Sequence, residues 1–158
     1  MSQLNNAFKA SVEASIAGLL SLSDVLQKEQ QALSGNDAQT LEQVVKDKVR
    51  VLTELQHSVQ AREQIQKQAQ LPPGLTGGED FVRKNFSPAE ISHNWQKLVN
   101  LSKEVEALNS QNGKLALAGE RTTREALGIL TGRSQEQDTY ERGAAGNASL
   151  GGYSLGKC

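Results

Sequence analysis

The chain is short of the residue types that build disulfides, metal sites and stacking platforms. One cysteine, Cys158, stands in 158 residues, so neither an intrachain disulfide nor a multi-thiolate metal site can form, and a reducing compartment suits it. Aromatic residues make up only 4%, and there are three prolines. Charge of one sign is also lacking: 17 Lys+Arg against 18 Asp+Glu leave a net charge of -1, which gives no basic field to hold nucleic acid or an anionic membrane surface. No run approaches the roughly 18 to 20 apolar residues of a membrane span, and the start MSQLNNAFKASVEAS has no basic segment leading into a long apolar one. A cytoplasmic location is the expectation.

Motifs for chemistry are missing as well. His57 and His93 fall in different helical segments, with no HExxH around either and no Glu-x-x-His pair for a di-metal bundle site. The pairs Gly77-Gly78 and Gly151-Gly152 match neither the P-loop nor the dinucleotide fingerprint. Glu13, Glu29, Glu42, Glu104, Glu106 and Glu120 read as a solvated helix face. No acid, base and nucleophile come together, so no enzyme, no metal and no cofactor are expected.

What is present is helical patterning. Leu, Ala, Gln, Glu and Lys fill the first 130 positions, which predicts an all-α fold. The expected domain is a helical bundle over 1–130, with helices at about 3–34, 37–70 and 88–130, followed by a flexible Gly-rich tail over 131–158. In the first helix Phe8, Val12, Ile16, Leu19, Leu22, Leu26 and Leu33 recur in steps that mostly hold one apolar face. Gly35 suits a left-handed cap and Asn36 or Asp37 an N-cap, so the first two helices should form an antiparallel hairpin.

The second helix shows a heptad seam, Leu41, Val45, Lys48, Leu52, Leu55, Val59 and Arg62. Its two basic members are expected to lay their stems along the seam and keep their charges in water. Pro72-Pro73 and Gly77-Gly78 then mark a linker over 71–87, with a short extra helix possible between Glu79 and Phe86. Ser87-Pro88-Ala89-Glu90 signals the start of a long helix, with Ser87 at the N-cap, Pro88 at N1 and Glu90 able to close a capping box. Its seam runs Ile91, Trp95, Leu98, Leu101, Val105, Leu108, Asn112 and Leu115, and more weakly on to Ile129. Trp95 reads as core packing. At about 43 residues, roughly 65 Å, this helix is longer than the hairpin and should overhang it or bend. Leu127, Ile129 and Leu130 would then lack an intramolecular partner, which invites a partner helix.

The last 27 residues carry six glycines and no apolar period, the composition of a segment disordered on its own. Tyr140 and Tyr153 stand alone in this polar stretch and read first as solvated side chains without a role, with anchoring in a partner's pocket as the alternative.

Several marks occur in order: LLSLSDVLQKEQQALSGND, LEQVVKDKVRVLTELQHSVQAREQ, ALNSQNGKLAL and Tyr140-Glu141-Arg142-Gly143. Together they resemble the FlgN family of flagellar export chaperones over about residues 15 to 146. The resemblance implies a cytoplasmic, non-catalytic chaperone of flagellar type III export. Its partners would be the C-terminal segments of the hook–filament junction proteins and the cytoplasmic domain of the export gate, with the export ATPase a further candidate. It places client binding on Leu115, Leu127, Ile129 and Leu130, and gate docking on Tyr140. The alternative reading is a structural or adaptor coiled coil whose helices complete a homo-oligomeric bundle.

Overall fold

The computed structural model describes residues 2–131, with side chains described through Gly119. The order is α1 (Gln3–Ser34), α2 (Ala38–Gln68), α3 (Gly74–Asn85) and α4 (Pro88–Thr131). Among the described residues the all-α expectation holds, with four helices. The segment expected to be a linker with one short helical stretch from Glu79 is a 12-residue helix that begins at Gly74.

α1 is the spine, packing along both α2 and α4, while α3 touches α2 and α4. α1 and α2 are antiparallel, as the bond from the Ser15 hydroxyl to Ser58 and the pairing of Glu29 with Lys48 require. α4 runs parallel to α1: Trp95 lies beside Phe8, and 17 residues further on Asn112 bonds Glu29. By that register the hairpin turn at 35–37 stands level with about residue 119. α4 is 44 residues long against 32 for α1, so its last dozen or so residues run past the turn.

Local sequence explains the ends. α1 closes with the Asp37 amide donating to the Ala32 carbonyl (3.0 Å) and Asn36 at φ 53°. The left-handed residue is therefore Asn36, not the expected Gly35, which sits at φ -89°. Asn tolerates this region better than most side chains, so the turn needs no glycine there. Asp37 caps α2 by accepting from the Thr40 amide and hydroxyl. α2 ends in the same way, with Gln70 at φ 61° and the Leu71 amide bonded to the Gln66 carbonyl. At the start of α4, Glu90 accepts from the Ser87 amide (2.6 Å) and hydroxyl (2.9 Å), one half of the expected capping box.

The core is one continuous cluster. α1 gives Phe8, Val12, Ile16, Leu19, Leu22 and Leu26; α2 gives Val44, Val51, Leu55, Val59 and Ile65; α4 gives Ile91, Trp95, Leu98 and Val105. The α2 seam is shifted by one residue in its first half. Val44 and Val51 are buried, whereas Val45 is 37% exposed. The cause is the helix period: 3.6 residues per turn drifts from a strict heptad, and a straight 31-residue helix does not follow the seam all the way.

Gly77 and Gly78 are core residues, not linker. A Cβ on Gly77 would overlap the Pro72 carbonyl oxygen, and one on Gly78 would overlap the Trp95 ring. Both are buried. Glycine at these two positions lets α3 lie directly on Trp95 and Gln66.

Candidate functional site

The two ends of the bundle are built differently. At the α3 end the rings of Phe8 and Phe81 stack with centroids 4.4 Å apart, and Phe86 and Trp95 each lie 6.0 Å from Phe8. Arg62, 1% exposed, places its guanidinium 5.7 Å from the Trp95 ring centroid. The expectation that this charge stays in water is wrong. The aromatic ring face and the cation attract one another, and the seam around Ser15, Leu19, Val59, Leu98 and Ser102 leaves the side chain no route to solvent. The Trp95 indole donates to Glu79 of α3, and Gln66, wholly buried, donates to the carbonyls of Pro72 (2.8 Å) and Gly74 (3.0 Å). α3 is thereby held to α2, α1 and α4 at once.

At the other end the three long helices meet in a polar node. Glu29 of α1, 5% exposed, takes Lys48 Nζ at 3.3 Å and Asn112 Nδ2 at 2.9 Å. Asn112 also donates to the Leu26 carbonyl at 2.8 Å. Glu29 is thus no part of a solvated face, and Lys48 is paired rather than free in water. A buried carboxylate needs such partners, and one group from each helix fixes their register.

Beyond the node the packing opens. Asn112 is the last buried side chain of α4 through Gly119; Leu115 is 36% exposed and Leu117 53%. On α2, Val45 and Val49 (57% exposed) stand on the outside at the same level. Leu115 is therefore where a partner could meet it. Leu127, Ile129 and Leu130 belong to the projecting end of α4, but their side chains lie outside the described residues, as does Tyr140 altogether. What sequence reasoning missed is the contribution of α2: Val45 was read into the seam, and Val49 carried no signal once the heptad was drawn.

His57 and His93 are exposed and separate. Among the described residues no group of three or more His, Cys, Asp or Glu could hold a metal ion, and no helix is long and apolar enough to cross a membrane.

Among the described residues the chain is a helical hairpin extended by one long helix, closed by aromatic rings at one end and carrying exposed apolar side chains near the other. Residues 1–148 match the FlgN protein family, and the chain belongs to that family. Its role is therefore tied to the flagellum. A solved structure of a flagella synthesis protein FlgN from Pseudomonas aeruginosa is similar in fold, with a TM-score of 0.59 and 23% identity, over 77% of this chain and 93% of that one. No curated protein matches.

Proposed function

We propose that this chain is a cytoplasmic export chaperone of the flagellar type III pathway. It binds the C-terminal helical segments of hook–filament junction proteins, keeps them from assembling early and delivers them to the export gate. The observation that carries the reading is the open end of the bundle: α4 runs on past the hairpin turn, and its last described apolar side chains, Leu115 and Leu117, are exposed. The two leucines, two positions apart, lie on different faces of the helix, and an exposed apolar side chain on either face is covered by laying a second amphipathic helix along it. A client whose terminal helices later polymerise is kept single by the same contact.

Client binding is assigned to Leu115, Leu127, Ile129 and Leu130, and docking to the cytoplasmic domain of the gate to Tyr140. The contact must be reversible, so moderate affinity is expected, with part of the contact free energy offset by ordering of the partners.

The test is amide exchange across residues 108–158 of the purified chain, alone and with the isolated client segments. Protection gained over 115–130, and lost again in Leu127→Asp with Leu130→Asp, is the expected result. No binding, with 119–130 already protected in a self-assembled oligomer, overturns the reading in favour of a homo-oligomeric coiled coil.

A further inference from the structure

A single asparagine of the chain is followed by glycine, and that pair, Asn112-Gly113, stands where the buried part of α4 ends. Asn112 is 2% exposed. Its Nδ2 donates to the Leu26 carbonyl at 2.8 Å and to Glu29 at 2.9 Å, while its Oδ1, also enclosed, has no hydrogen-bond partner. Gly113 is exposed, and a Cβ there would meet nothing within 4 Å, whereas one on Gly18, Gly77 or Gly78 would press on Leu55, Pro72 or Trp95. Packing therefore does not require glycine at 113. Inside a helix glycine is less stable than alanine, because the backbone has more freedom to lose. Two weaknesses adjoin: a turn softened by glycine, and a buried amide whose carbonyl gives up no partner when that turn opens.

Asparagine is among the thermolabile residues, and a following glycine exposes it to its own backbone. The Gly113 nitrogen, unhindered for want of a Cβ, adds to the Asn112 Cγ. The Cγ–Nδ2 bond breaks, the nitrogen's proton leaves with Nδ2 as ammonia, and a five-membered succinimide remains. Water then opens the ring at either carbonyl and yields aspartate or isoaspartate, so amide plus water becomes acid plus ammonia with no oxidant or reductant. Water is the sole reagent, so burial of the side chain alone does not prevent the reaction. Helix geometry does restrain it: an α-helix ties the Gly113 amide to the carbonyl four residues earlier and holds its nitrogen away from Cγ. Ring closure proceeds from the opened turn, and local opening is the gate.

We propose that Asn112-Gly113 is a site of spontaneous deamidation that unlocks α4 from the hairpin. In the unmodified chain Glu29 and Lys48 carry one charge of each sign, and Asn112 supplies a neutral donor. Afterwards a second carboxyl group stands on the side chain that met Glu29, and Lys48 remains the node's one cation. Two carboxylates repel across a site largely closed to water, and α4 loses its polar tie to α1. Isoaspartate also lengthens the main chain by one atom, which breaks the helical repeat. The step is one-way, so the node acts as a timer that holds α4 in register in new chains and releases it in old ones. None of this depends on what α4 binds.

The test incubates the full chain in warm, mildly alkaline buffer. Peptide mapping by mass spectrometry follows acid formation at each asparagine, and an isoaspartyl methyltransferase labels the rearranged product. Acid should accumulate faster at Asn112 than at Asn36 or Asn109, and amide exchange over 113–119 should quicken with it. Gly113→Ala, which the open space admits, should abolish that excess and slow exchange in the same turn. Asn112→Asp, standing for the product, should speed exchange over 106–119 by about tenfold or more, as loss of a buried hydrogen bond to a charged group does. A chain unfolded in urea sets the ungated rate. No excess acid at Asn112 in the folded chain, over a time in which the unfolded chain converts it fully, shows that the helix keeps the gate shut and overturns the proposal. Acid formation that Gly113→Ala leaves unchanged overturns it too, as does an Asn112→Asp chain that exchanges like the parent, since the product would then unlock nothing.

Discussion

The two ends of this bundle solve opposite problems with the same helices. Around Phe8 the packing is closed on every side by α2, α3 and α4: three aromatic rings, a buried arginine on an indole and two glycines that allow the closest approach. Around Glu29 the helices are joined by polar groups, and Val45, Val49, Leu115 and Leu117 near it face water. Apolar burial is strong but indifferent to small shifts in register, whereas a charged node is specific and adds little net stability. The α3 end thus carries the stability. The node end sets the register and leaves apolar surface free.

Removing the centre of the closed end is the hardest blow to that division of labour. Phe8→Ala deletes a fully buried ring that touches Phe81, Phe86 and Trp95, and should destabilise the fold by about 4 kcal/mol in urea titration. A loss under about 1 kcal/mol would show that the closed end is not the anchor. Next in size is the node. Glu29→Ala takes the carboxylate acceptor from the Lys48 ammonium and leaves Asn112 only the Leu26 carbonyl, with an expected loss of about 3 kcal/mol. Glu29→Leu with Lys48→Met, which removes both charges, should lose much less than the single change, because it leaves no uncompensated charge behind. Equal losses in the two variants would mean that packing, not the ion pair, decides the site.

How far the sequence reveals this molecule differs between its ends for a physical reason. The apolar face of α1, the start of α4 at Ser87-Pro88-Ala89-Glu90 and the core place of Trp95 were legible, because each depends on periodicity or on capping chemistry within four residues. α3 was largely hidden. Pro72-Pro73 does break the chain, but Gly77-Gly78 reads as freedom only when the neighbour is unknown; with Trp95 against it, glycine is the residue that fits a helix there. Arg62 and Glu29 were misread for the same cause. A charged residue on a helix is normally wet, and only tertiary partners such as Trp95, Lys48 and Asn112 make burial tolerable. The node lies on the candidate site's edge, so that edge was invisible too. Leu115 could be placed by spacing, whereas Val45 and Val49 needed the true rotation of α2.

The open end supplies the converse test. Leu115→Asp and Val49→Glu alter side chains already exposed, so each should change stability by no more than about 0.5 kcal/mol while the same substitutions weaken client binding. Thermal melting with and without client segment reads both effects. If either variant unfolded the chain as Phe8→Ala does, the open end would be core, and the contrast between the two regions would collapse.

The smallest effect concerns acid. The Ser87 amide and hydroxyl hold the Glu90 carboxyl below the ordinary carboxylate range, and the Thr40 hydroxyl and amide do the same for Asp37. A carboxyl with a lowered pKa in the folded chain contributes its full share of stability above its unfolded value and loses it as pH falls through the folded one. Both groups sit at helix starts, one beside the hairpin turn and the other at the α3 end, so acid should loosen both ends by a little rather than one by much. Glu90→Gln and Asp37→Asn keep a polar cap and remove the titration. Each should flatten the fall in melting temperature below about pH 4 without lowering the neutral value far. A steeper acid loss in either variant than in the parent would show that the caps are not where the protons act.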